Sequence, residues 1–140
     1  MRPFLFFALS CFLFASGAKA ATDVELVDCR LTPEVKKELQ LTAEQGPKVE
    51  KVFADLSSIS DQIAQNRAKR EELRKAGATA EAIDPVSKQI VAGERQCEER
   101  MHPALKAILT EAQYNKVAEM QAVHQKKIRQ PESQEKPAER

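Results

Sequence analysis

Residues 49–73 read VEKVFADLSSISDQIAQNRAKREEL. Val49, Val52, Leu56, Ile59, Ile63, Asn66, Arg70 and Leu73 stand alternately three and four residues apart. That is the heptad spacing of a helix with one buried seam, turning polar at Asn66 and Arg70. Phe53 widens the seam at its N-terminal end. A helix of about 30 residues is about 45 Å long. It cannot bury such a stripe by itself, so it needs another helix from the same chain or from a second one. No part of the chain shows sustained period-two alternation of β-branched residues, so strands are not expected.

Working outward, the chain is punctuated by helix starts. Upstream lies LTAEQ, residues 41–45, and downstream lies its near copy LTEAQ, residues 109–113. In each, the threonine (Thr42, Thr110) can accept from the backbone N–H three residues on. The glutamine (Gln45, Gln113) can reach back to the threonine N–H, which makes a capping box. Leu109 and Tyr114 are spaced for a hydrophobic staple. Leu41 lacks that partner, because Gly46 holds the equivalent position. Pro47 follows, so a kink or irregular start is expected there. A weaker third copy, LTPEV at 31–35, reads as a cap followed by Pro33 and a helix of about two turns.

Beyond the seam, Arg74, Lys75 and Gly77 suit a helix C-terminus. Asp84-Pro85 reads as the next start, with Thr79 as an earlier alternative. The helix that follows presents Val86, Ile90, Gly93, Cys97, Met101, Ala104 and Ile108, with Pro103 expected to kink or end it. The last helix starts at Thr110 and offers Tyr114, Val117, Met120, Val123 and Ile128. Residues 130–140, QPESQEKPAER, read as a disordered tail. The fold class is therefore all-α.

Residues 1–20 combine Arg2, an apolar run from Phe4 to Phe14, and Ala18-Lys19-Ala20. That is the pattern of a cleaved secretory signal peptide, too short to be a spanning helix. The expected organisation is signal peptide 1–20, N-terminal segment 21–30, helical domain 31–129 and tail 130–140. Without Arg2 and Lys19 the balance is 20 basic against 21 acidic residues. Such a chain has no electrostatic footprint for nucleic acid, and no stable membrane insertion is expected.

Two cysteines, Cys29 and Cys97, follow the cleavage point. Export favours a disulfide between them, worth about 4 kcal/mol in loop-entropy models. The alternatives are free thiols or a metal site. Cys97, Met101 and His102 lie close on one helix, and their soft ligand atoms suit zinc or copper. Met120 and His124 form a second i, i+4 pair. Neither cluster supplies four ligands, so no cofactor is expected. His102 and His124 are the only histidines, and neither has a nucleophile and acid arranged around it. Enzymatic chemistry is not expected.

With LQLTAEQ and AILTEAQ in place, flanking long charge-rich helices after a signal peptide, the chain resembles the Spy/CpxP family of periplasmic proteins. The likeness runs over about residues 35–127. It implies an elongated bundle of about four helices: a short first helix, a long helical hairpin and a last helix. It implies thin, curved, antiparallel homodimers. It also implies ATP-independent binding of partly unfolded envelope proteins on a concave face, and modulation of an envelope-stress sensor kinase. Related proteins bind heavy metals, so a zinc or copper sensor or buffer is the alternative. This chain has none of the His- and Met-rich ends of those relatives. On this reading Leu41, Thr42, Gln45, Leu109, Thr110 and Gln113 are the family motif. Val49, Val52, Phe53, Leu56, Ile59, Ile63, Arg67 and Arg70 are the candidate dimer or client surface.

Overall fold

The computed structural model describes residues 22–129, so the expected signal peptide and tail lie outside the described residues. The described residues form five helices and no strand: α1 (Pro33–Leu39), α2 (Gln45–Asp55), α3 (Ser57–Lys75), α4 (Ala80–Lys106) and α5 (Glu111–Arg129). The protein is all-α, built on a long hairpin of α3 and α4, with α2 also against α4 and with α5 touching α1 and α4.

The local signals explain most boundaries. Thr32 caps α1, its hydroxyl accepting from Val35 N at 3.3 Å, and Pro33 takes the first helical position. Thr79, not Asp84, starts α4. Its hydroxyl accepts from Ala82 N at 3.4 Å, and Pro85 falls inside the helix. At the end of α3, Gly77 adopts φ +71°. Ala78 N donates to Leu73 O and Gly77 N to Arg74 O, the paired bonds of a Schellman cap. That turn reverses the chain into α4. Pro103 does not stop α4, which continues to Lys106.

The expected long helix after Thr42 is interrupted, and not where Gly46-Pro47 pointed. Pro47 sits in the first turn of α2, where its missing donor costs little. The break is at Leu56, which ends α2 and precedes α3. Ser57 and Ser58 follow it, residues whose hydroxyls compete for local backbone groups. Two residues on, the buried Ser60 hydroxyl donates to Asp28 O at 2.6 Å and accepts from Arg30 Nε at 3.0 Å. The N-terminal segment thus docks beside the break.

That segment is part of the domain. Leu26 and Cys29 lie in the core, and Leu26 N donates to Met120 O at 3.4 Å. Cys29 and Cys97 are disulfide-bonded, tying the segment to α4 across a sequence separation of 68 residues. Val49, Phe53, Leu56, Ile59 and Ile63 meet Ile90, Cys97, Met101 and Leu105 in one core that includes Val117 and Met120. Leu105, not Ala104, carries the α4 stripe onward, because the contacts step 97, 101, 105 at i, i+4. Among the described residues no helix is long and apolar enough to cross a membrane.

Candidate functional site

The two repeated pentapeptides meet. Each first closes its own capping box. Thr42 N donates to Gln45 Oε1 at 3.1 Å and Gln45 N to Thr42 Oγ1 at 3.2 Å. Thr110 N donates to Gln113 Oε1 at 3.0 Å and Gln113 N to Thr110 Oγ1 at 3.3 Å. The remaining faces of the two amides then join. Gln45 Nε2 donates to Gln113 Oε1 at 2.9 Å, and Gln113 Nε2 donates to Gln45 Oε1 at 3.0 Å.

Each amide also satisfies a carbonyl just ahead of the other motif. Gln45 Nε2 donates to Ile108 O at 3.2 Å, and Gln113 Nε2 donates to Leu39 O at 3.0 Å. Leu39 O is one of the orphan carbonyls left at the end of α1, and Ile108 O lies just past the end of α4. One glutamine therefore caps the start of its own helix and the end of a distant one. Leu109 is buried and Leu41 half-buried beside this junction, while Thr42 and Thr110 stay exposed. The capping boxes were readable locally. Their union was not, because neither pentapeptide carries a sign of where the other lies.

A second polar cluster sits beside the disulfide. Arg67 lies among Asp28, Glu94 and His124. Its Nε stands 2.8 Å from Asp28 Oδ1, out of line for a hydrogen bond, so charge alone holds that pair. Its Nη2 pairs with Glu94 and lies 3.4 Å from His124 Nε2. On the far side of the ring, His124 Nδ1 lies 3.2 Å from Glu25 Oε2, and Lys127 pairs with Glu25. Lys127, with His124 behind it, holds the Glu25 carboxyl below the usual carboxylate range. All of these acids come from the segment 22–31 or from α4, so the cluster ties segment, hairpin and last helix together.

Asp28, Glu94 and His124 each offer one ligand atom within 4.8 Å of the others, a spacing that a metal ion accepts. The donor set does not fit a metal as folded, because the Arg67 guanidinium already occupies the space between them. The triad Cys97, Met101 and His102 is corrected outright. Cys97 is in the disulfide and Met101 is fully buried in the core. His102, one position further round α4, turns away and places Nδ1 2.7 Å from Tyr114 Oη, with the rings edge to face. The paired Met120 and His124 also separate, Met120 into the core and His124 to Glu25.

The candidate client surface needs a similar correction. Val49, Phe53, Leu56, Ile59 and Ile63 are buried within the single chain. Arg67 is consumed by its ion pairs. Val52 and Arg70 are half-buried, and burial together with Arg74 and Arg67 pushes the Arg70 guanidinium down from its ordinary value. The exposed large apolar side chains among the described residues are Val91 at 62% and Ile128 at 44% exposure. Along the α3–α4 hairpin, Gln62, Gln65, Gln89 and Gln96 stand exposed. No family model, curated protein or solved structure matches this chain.

Proposed function

We propose that this protein is a Spy/CpxP-like, exported, homodimeric holding protein. It binds partly unfolded envelope proteins in the periplasm without ATP and modulates an envelope-stress sensor kinase. The observation that supports the reading best is the junction of the two LTxxQ motifs. The resemblance rested on those pentapeptides, and here they fasten the ends of α1 and α4 to the starts of α2 and α5. A motif that recurs only as a helix start has no reason to pair with its copy. A motif that frames a cradle of helices does.

The signal-peptide pattern and the disulfide support an oxidising compartment outside the cytoplasm. The reading makes binding rather than turnover the activity. The reading requires no metal. The alternative of a zinc or copper sensor loses its main candidate ligands, since Cys97 is oxidised and Met101 buried.

The test is aggregation of a chemically denatured client diluted into oxidised protein of residues 21–140, with no ATP and with chelator present. Suppression at near-stoichiometric amounts is the expected result. Undiminished aggregation, with a folded dimer verified in solution, would refute the reading.

A further inference from the structure

The N-terminal segment, held by the Cys29–Cys97 bond, and α5 cover one side of α4. On α4, Glu94 and Glu98 face the N-terminal segment and α5, and Cys97 is bonded to Cys29 of that segment. Round the same helix, Gln89 and Gln96 stand exposed beside Gly93, one turn before Cys97. With Gln62, Gln65 and Asn66 of α3 they line an open trough of about 440 Å³. Five of its lining side chains are primary amides, and none is charged or aromatic.

The floor of the trough is fixed. A Cβ on Gly93 would come within 2.8 Å of Ile63 Cγ1, so α3 and α4 are in close contact there. Ile63 is itself 1% exposed, so the trough cannot deepen without opening the core. Its rim is adaptable, since Gln62, Gln65, Gln89 and Gln96 are exposed.

We infer that this trough takes an extended polypeptide segment and reads its backbone. The inference rests on the holding function proposed above and names where the client lies. Each side-chain amide carries two donors and one acceptor, and each peptide group of a client offers one donor and one acceptor. A row of neutral amides therefore complements any unfolded sequence, whereas charged walls would select among sequences. From Gln89 to Gln96 the trough runs about 10 Å along α4, the length of about three extended residues.

A second copy of this chain fits poorly. Stable homodimer interfaces bury more than about 1,000 Å² around an apolar centre. Ala92 and Gly93 are the only non-amide α4 residues here, and Ile63 is already consumed. A sugar would find no aromatic face to stack on.

The probe is reduced, carboxymethylated α-lactalbumin, a permanently unfolded soluble chain. The variant is Gln65→Ala/Gln89→Ala/Gln96→Ala, all at exposed helical positions where alanine favours the helix. Wild type is expected to bind. The variant is expected to keep its helicity and melting temperature while affinity falls at least about ten-fold, as for several hydrogen bonds lost together. A ten-residue peptide from the client should compete at least ten-fold better than the same peptide N-methylated at alternate residues.

Unchanged affinity in the variant would overturn the trough and leave the holding function standing. No binding by wild type would sink the holding function and the trough with it. A variant that binds normally but changes its sedimentation would make the trough a self-interface and overturn the inference. Equal competition by the N-methylated peptide would show that the backbone is not read.

Discussion

Replacing Gln113 by alanine removes more than a helix cap. Its Oε1 accepts from Thr110 N and from Gln45 Nε2, and its Nε2 donates to Leu39 O and to Gln45 Oε1. Leu39 is 1% exposed, so its carbonyl is left in a place that water reaches poorly. At about 0.5–1.5 kcal/mol net for each bond, the four together make the loss about 3 kcal/mol. For a domain spanning 22–129, unfolding entropy is about 0.23 kcal/mol/K, so the melting temperature should fall by about 13 °C. Gln45→Ala should cost about 2–3 kcal/mol by the same reasoning, through Thr42 N, Ile108 O and the shared amide pair. The amide pair is lost once in either variant. The double variant should therefore cost about 1–2 kcal/mol less than the two single losses combined. Urea unfolding of oxidised protein, followed by helical circular dichroism, measures all three. Additivity within about 0.3 kcal/mol, or a Gln113→Ala loss below about 1 kcal/mol, would refute the junction.

Three further outcomes follow from the same geometry. Reducing Cys29–Cys97, or replacing both by serine, should lower stability by about 4 kcal/mol in unfolding experiments, because the bond closes a separation of 68 residues. Gly46 has open space around a added Cβ while Gly93 meets Ile63, so one substitution should act in two directions. Gly46→Ala should stabilise by about 0.5–1 kcal/mol, and Gly93→Ala should destabilise by about 1 kcal/mol in thermal melts. The Glu25 carboxyl is depressed in the fold by Lys127 and His124, so its stabilisation is present above its unfolded pKa and is lost as pH falls through the folded value. Glu25→Gln should therefore flatten the acid limb of stability against pH below about 4.5 and leave the shape near neutrality unchanged.

What the sequence disclosed was local or periodic. The spacing from Val49 to Leu73 marked a buried seam, and Val49, Leu56, Ile59 and Ile63 are core, with half-buried Val52 packed against them. Thr32, Thr79 and Thr110 each cap a helix, and Thr42 accepts from the first N–H of α2, at Gln45. Gly77 closes α3 because only a residue free to adopt positive φ completes that turn cheaply. What stayed hidden depends on distance along the chain. Just past the break at Leu56, Ser60 bonds to Asp28, 32 residues earlier. Arg67 read as part of the candidate dimer or client surface, but its partners Asp28 and Glu94 come from other elements. The alternative ligand set failed for a geometric reason. Cys97 and Met101 are on the inward stripe of α4, while His102, about 100° further round the helix, faces Tyr114. The amide trough has no sequence signature, since Gln62 and Gln65 become neighbours of Gln89 and Gln96 only once Gly77 has turned the hairpin.

The most direct measurement of the central claim is equilibrium binding of one client in two states. A labelled client should be offered to oxidised protein of residues 21–140, once unfolded and once folded, without ATP and with chelator. A holding protein should bind the unfolded form at near-stoichiometric amounts and the folded form at least ten-fold more weakly. Equal affinity for the two forms, or binding only when zinc or copper is supplied, would contradict the account.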